Sequence, residues 1–209
     1  PTNLYGPGDN FDLEKAHVLP AIMRRMHLSK CMEESNWKAL RHDLNKRPVN
    51  GVDGSASNEA ILEVLQQQGI SSMPSSNPSR FTPHVSRLFV EIWGTGTPKR
   101  EFLWSKDMAD ACVFIMENID FADLSQGMDE IRNTHINIGS GQEISIADLA
   151  RKVKQVVGFQ GELAFNADKP DGTPRKLTDV TKLHSLGWKH RTGLDEGLGK
   201  LYKWYLGNR

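Results

Sequence analysis

Cysteine is scarce in this chain: Cys31 and Cys112 are the two thiols among 209 residues. Two cysteines make neither a disulfide framework nor a zinc pattern, and the seven histidines are scattered with no His/Cys/Asp set at ligand spacing. A metal is therefore not expected. Net charge is also missing, because Lys+Arg and Asp+Glu both number 26. No global field draws nucleic acid or an acidic membrane, so any anion site has to be local. No apolar run approaches the roughly 20 residues of a spanning helix, and no charged-then-apolar start resembles a signal peptide. Neither nucleic acid nor a membrane is an expected partner, and a reducing cytoplasm is the expected location. No methionine opens the chain, which reads as the back half of a larger protein. Its 38% hydrophobic and 25% charged residues suit one good core or two small ones.

Short strands alternate with helices. Leu19, Ile22, Met23 and Met26 recur at helical spacing, with Pro20 where a first turn tolerates it. Val90–Trp93 and Glu101–Trp104 read as strands flanking a Gly/Thr/Pro turn, after which Ser105 and Asp107 are expected to cap a helix through Ile115. His135–Ile138 reads as a strand ended by Gly139-Ser-Gly141. Ser145 and Asp148 stand at capping-box spacing before a helix with Ile146, Leu149, Ala150, Val153 and Val157 along one face. Leu163–Phe165 reads as a strand. A last helix is expected from near Thr192, with Asp195 and Glu196 suiting its dipole and Leu194, Leu198, Leu201 and Tyr205 on its inner face. Residues 29–84 interrupt the order, with helices expected over Glu33–Leu44 and Asn58–Gln67 and a Ser/Pro/Asn-rich stretch over Ser71–Pro78; the segment reads as an insertion. The division expected is 1–28, 29–84 and 85–209.

Three polar, turn-rich blocks carry the chemistry: Pro1-Thr-Asn-Leu-Tyr-Gly-Pro7, Trp93-Gly-Thr-Gly-Thr-Pro-Lys-Arg-Glu-Phe-Leu103 and Lys169-Pro-Asp-Gly-Thr-Pro-Arg-Lys-Leu-Thr-Asp179. In α/β folds ligands sit where such turns meet the ends of strands. An imidazole titrating near neutrality suits acid or base work beside a ketone, which makes His17 a candidate; a helix-capping role is the bland alternative. A guanidinium presents a fixed fork of donors that matches phosphate oxygens. Arg25 and Arg100 therefore read as anion contacts, helical phase deciding between Arg24 and Arg25; a solvated basic pair is the alternative. Trp93 reads as a base- or ribose-facing ring or as core. Gly94-Thr-Gly96 and Gly139-Ser-Gly141 are too short for a dinucleotide fingerprint, and no Tyr is followed four residues later by Lys.

The opening Asn-Leu-Tyr-Gly-Pro, the His17-Val-Leu-Pro-Ala-Ile-Met-Arg-Arg25 helix, the Trp93–Phe102 turn and the Lys169–Lys176 loop resemble the extended short-chain dehydrogenase/reductase family, and within it the branch of GDP-L-fucose synthases. The resemblance implies the substrate-binding C-terminal portion of an α/β enzyme whose Rossmann-like N-terminal half binds NADP(H). Such enzymes epimerise GDP-4-keto-6-deoxy-D-mannose at C3 and C5 and reduce C4 with NADPH. It implies His17 as the general acid of epimerisation. Asn3, Val18, Arg25, Trp93, Arg100, Asp171 and Lys176 become contacts to the GDP-sugar, and Asn3, Leu4 and His17 contacts to the cofactor. It also implies a homodimeric parent, with the N-terminal Rossmann half as partner and no tight cofactor binding or turnover by this chain alone. The alternatives are the substrate domain of another nucleotide-sugar epimerase or dehydratase, or a non-catalytic binding domain of the same fold.

Overall fold

The structure, a computed structural model, describes residues 2–72, 88–127 and 129–207. The chain begins with β1 (Asn3–Tyr5), a turn closed by Asp9 N–H on the Gly6 carbonyl, and α1 (Val18–Glu33). Next come α2 (Trp37–Lys46), α3 (Asn58–Gln67), β2 (Ile70–Ser72), β3 (Leu88–Trp93) and β4 (Lys99–Trp104). They are followed by α4 (Ser105–Asn118), α5 (Phe121–Ser125), β5 (Glu143–Ser145) and α6 (Ile146–Val157). The remaining elements are β6 (Glu162–Asn166), β7 (Arg175–Lys176), α7 (Thr181–Ser185) and α8 (Leu194–Gly207).

Two small sheets result. In the first, β4 is the hub: β1 runs parallel to it with Asn3 opposite Phe102, β5 antiparallel with Arg100 opposite Ile144, and β7 parallel with Arg100 opposite Lys176. In the second, β3 takes β2 antiparallel and β6 parallel. Leu88, Val90 and Ile92 alternate inward along β3, the period-two pattern of a half-buried strand. The main core lies between these sheets and α1, α6 and α8, with Met23, Met26, Val90, Leu149, Val153, Leu198 and Leu201 buried in it. Tyr5 is buried there too; burial, then the acids Asp107, Glu196 and Asp195, push its phenol far up. Gly197 is required beneath that ring, since a Cβ at this position would stand 2.0 Å from the Tyr5 hydroxyl oxygen.

A second core joins Leu28 and Cys31 of α1 to Leu40, Leu44, Ile61, Val64, Leu65 and Ile70. The segment over 29–84 thus contributes α2, α3 and β2 to the packed body, and its expected start at residue 29 falls inside α1. α1 runs on to Glu33, so the helix expected from Glu33 begins instead at Trp37, where the Asn36 side chain accepts the Ala39 N–H. Ser71 and Ser72 lie in β2; the rest of the Ser/Pro/Asn-rich stretch lies outside the described residues.

Two further expectations are corrected. No ladder forms over His135–Ile138: Ile136 and Ile138 do pack inward with Leu103, Leu183 and Trp188, but no described strand pairs with them, and a strand needs a hydrogen-bonded neighbour. Nor do Ser105 and Asp107 cap α4. Its N-cap is Trp104, without a side-chain bond, while the Asp107 carboxylate accepts the N–H groups of Thr192 at 2.8 Å and Arg191 at 3.3 Å. Asp107 thereby anchors the entry to α8, which starts at Leu194. The Ser145 cap of α6 forms as its spacing predicts, with Asp148 N–H on Ser145 Oγ at 3.0 Å.

Candidate functional site

A cleft of about 610 Å³ runs along the first two turns of α1, within the size range of small-molecule sites. Val18, Ala21, Ile22 and Arg25 form one wall, the helical spacing that stacks side chains on one face. Trp93, Pro98, Arg100, Ile146, Asp171 and Gly172 face them from the strand ends and the loop after β6.

Helical phase separates the two adjacent arginines. Arg24 turns into the interior, is fully buried, and pairs with the equally buried Asp43 at 2.9 Å. It also donates to the carbonyls of Phe11 and Arg47, and Tyr205 donates its hydroxyl to Asp43. Burial and the Asp43 charge push the Tyr205 phenol well above its ordinary value. Arg25 lines the cleft, and its Nε is buried with no partner among the described residues. Burial lowers its pKa, opposed by the charge of Glu91. A buried donor without a partner is costly, and an anion in the cleft would relieve that cost.

Arg100 stands on β4 with its Nη1 donating to the Thr173 carbonyl at 2.6 Å and the Lys99 carbonyl at 2.7 Å. Lys176 does not line the cleft but is the register partner of Arg100, so the two cations are neighbours. Trp93 is 62% exposed, which removes the core alternative, and Lys169 Nζ lies 5.3 Å from its ring centroid. Asp171 accepts from Thr95 through both oxygens, from N–H at 2.9 Å and Oγ1–H at 2.7 Å. Gly94 beside it has φ +83°, and a Cβ there would meet Asp171 Oδ1 at 2.2 Å.

His17 and Asn3 stand at the border. His17 is the N-cap of α1, with no side-chain capping bond, so the capping alternative does not hold for its imidazole. It is exposed, immediately before Val18. Asn3 donates its amide to the Glu101 carbonyl at 2.8 Å, and Leu4 is 38% exposed.

Two acids escaped the sequence reading. Glu101 is fully buried and accepts from Thr2 Oγ1 at 3.0 Å, Gly141 N–H at 2.7 Å and Thr178 N–H at 3.1 Å. It ties β1, β4 and the end of the 169–179 loop together. Asp9 has a buried Oδ2 with no partner among the described residues; burial pushes its carboxyl up, against the Asn10 N–H and the charge of His17. The signal for Asp9 was its place in the turn after the opening motif; for Glu101, a carboxylate set directly against the apolar run Phe102–Trp104.

In the two glycine turns the Gly141 N–H is given to Glu101 and the Thr95 N–H to Asp171. Among the described residues no group of His, Cys, Asp and Glu could hold a metal, and no helix is long and apolar enough to cross a membrane.

Known proteins are similar to this chain along its whole length. The profile of the NAD dependent epimerase/dehydratase family matches residues 68–139. GDP-L-fucose synthase 1 of Arabidopsis thaliana is 41% identical over 208 residues, all of this chain but 45% of that protein. GDP-L-fucose synthase of Escherichia coli K12 is 36% identical over 209 residues, or 48% of its length. A crystal structure titled a GDP-6-OMe-4-keto-L-xylo-heptose reductase from C. jejuni superposes with a TM-score of 0.82 at 42% identity, covering 99% of this chain and 52% of that one. Along its whole length the chain is similar to these proteins. It spans about half the length of the curated relatives it matches, and its mixed α/β architecture corresponds to about half of the extended short-chain dehydrogenase/reductase fold of the superposed structures.

Proposed function

We propose that this chain is the GDP-sugar-binding part of a GDP-L-fucose synthase, which epimerises GDP-4-keto-6-deoxy-D-mannose at C3 and C5 and reduces C4 to give GDP-L-fucose. The reading rests on 41% identity along the whole chain to an enzyme of that name. The cleft supports it chemically. Arg25 brings a buried fork of donors to the diphosphate, with Arg100 and Lys176 supplying charge from the facing strand. Trp93 lays its exposed ring against the base or ribose. Val18 offers backbone contact and Asn3 its amide at the rim, while Asp171 keeps a lone pair on each oxygen for a ribose hydroxyl or ring N–H.

Epimerisation removes a proton from carbon beside a ketone on one face and returns one on the other. His17 donates on one of these faces, at the end of the cleft where α1 begins, and the base belongs to the half of the enzyme outside this chain. Reduction of C4 draws its hydride from NADPH, held by the Rossmann half; Asn3, Leu4 and His17 border it. Catalysis depends on positioning both halves, so the 209 residues alone are inactive. The parent is a cytoplasmic homodimer.

A second reading, reduction of a GDP-keto-heptose without the fucose product, draws on the 42% identity to a heptose reductase. Competition among GDP, UDP and dTDP for the intact protein, followed by turnover on GDP-4-keto-6-deoxy-D-mannose and on a GDP-keto-heptose, separates the readings. GDP preference with turnover of the deoxy sugar is expected. UDP or dTDP preference would refute both, and turnover of the heptose alone would favour the second.

A further inference from the structure

Gln67 and Gln68 line the cleft from the end of α3. Gly69 follows with φ +80°, and its carbonyl accepts the Glu91 N–H at 2.7 Å. That bond fastens the end of α3 to β3 two residues before Trp93. On its other side α3 is fixed by Ile61, Val64 and Leu65 in the second core. The α3 terminus is thus a rigid wall rather than a loop.

Its place along the cleft follows from charge and helix geometry. Glu91, joined to Gly69, is close enough to Arg25 to act on its charge, so α3 closes the Arg25 end. Arg25 is seven residues beyond Val18, about 10 Å along the axis. With the sugar toward His17 and the diphosphate at Arg25 and Arg100, the nucleoside falls between Trp93 and the end of α3. The two glutamines differ there. Gln67 is exposed and accepts from Asn50 Nδ2 at 3.4 Å. Gln68 is half-buried, and its amide makes no hydrogen bond to any described residue.

We propose that Gln68 is a specificity-determining residue of this cleft, its amide bonding the edge of a nucleobase whose face rests on Trp93. A glutamine amide carries an acceptor beside two donors. Guanine offers a ring N–H next to a carbonyl, so two parallel bonds form. The inference rests on the reading that the cleft takes a GDP-sugar, and it gives the 29–84 segment a role in choosing the nucleotide.

The test uses the intact protein, titrated with GDP, ADP and pyrophosphate. Gln68→Leu, with Gln68→Ala as a second variant of smaller side chain, is expected to weaken GDP about tenfold, a loss of one to two net hydrogen bonds. The GDP-to-ADP preference narrows by a similar factor and pyrophosphate affinity stays unchanged. Arg25→Met is expected to weaken GDP and pyrophosphate together. Loss of GDP binding in Arg25→Met but in neither Gln68 variant overturns this inference alone. Unchanged GDP affinity in all three variants overturns the placement of the nucleotide in this cleft and the inference with it, and absence of GDP binding by the unaltered protein overturns the nucleotide-sugar reading beneath it.

Discussion

Exchanging each of two adjacent arginines for methionine should produce opposite defects. In Arg24→Met the buried ion pair with Asp43 is broken, leaving a carboxylate at 0% exposure with the Tyr205 hydroxyl and an Arg47 contact at 3.9 Å. Removing one partner of a buried pair costs about 3–5 kcal/mol. For a chain of this size each kcal/mol moves the melting temperature by about 2–4 °C, so the drop should be on the order of 10 °C. GDP affinity should stay within about twofold, because Arg24 does not line the cleft. Arg25→Met removes a cation whose Nε has no partner among the described residues, so it breaks no side-chain hydrogen bond within them and should melt at the same temperature or higher. It should lose a charge-assisted contact of about 2 kcal/mol to the diphosphate, roughly 30-fold in Kd. Differential scanning calorimetry and isothermal titration with GDP on both variants read the two axes together. A melting drop in Arg25→Met with unchanged affinity, or an affinity loss in Arg24→Met exceeding that of Arg25→Met, would refute the assignment of helical phase to function.

Two more predictions concern the end of the cleft near His17. In the full-length enzyme, His17→Asn should cut solvent deuterium incorporation at C3 and C5 by about 10²–10⁴, the usual contribution of a general acid, with GDP binding nearly unchanged; equal loss of both would make His17 structural. Asp9→Asn should raise thermal stability at neutral pH. Burial holds the folded Asp9 above its unfolded value of 3.8, which favours the protonated form; that stabilisation is present below 3.8 and lost as pH rises through the folded value. The gain from asparagine should therefore be seen near pH 7 and vanish below about pH 3.8, and an equal gain at both would show that the Asp9 charge is not its source.

The local rules in the sequence reached the elements whose pattern is written in the segment itself. The Ser145 cap, the α1 and α6 stripes and the alternation in β3 are such patterns, and Arg25, Trp93, Arg100 and Asp171, named from the motif resemblance, line one cleft. Expectations failed where a distant partner decides. His135–Ile138 has the alternation of a strand but no described strand to pair with, and Asp107 has the spacing of a cap but accepts from Thr192, 85 positions away.

What the sequence determined by itself was therefore the motif resemblance, the balanced charge that confines anion binding to a local site, and the residue types that could form it. Which side chain does what was decided by tertiary structure. Whether Arg24 or Arg25 meets the ligand depends on where Asp43 and Phe11 pack, because a helix fixes only the angle between neighbours and not which face is covered. Asp171 gives both oxygens to Thr95 because the turn at Gly94 approaches within contact of it. Gln68 reaches the cleft because α3 is clamped between the second core and β3. Each is a long-range packing event, and long-range packing leaves no periodic signature in a single chain.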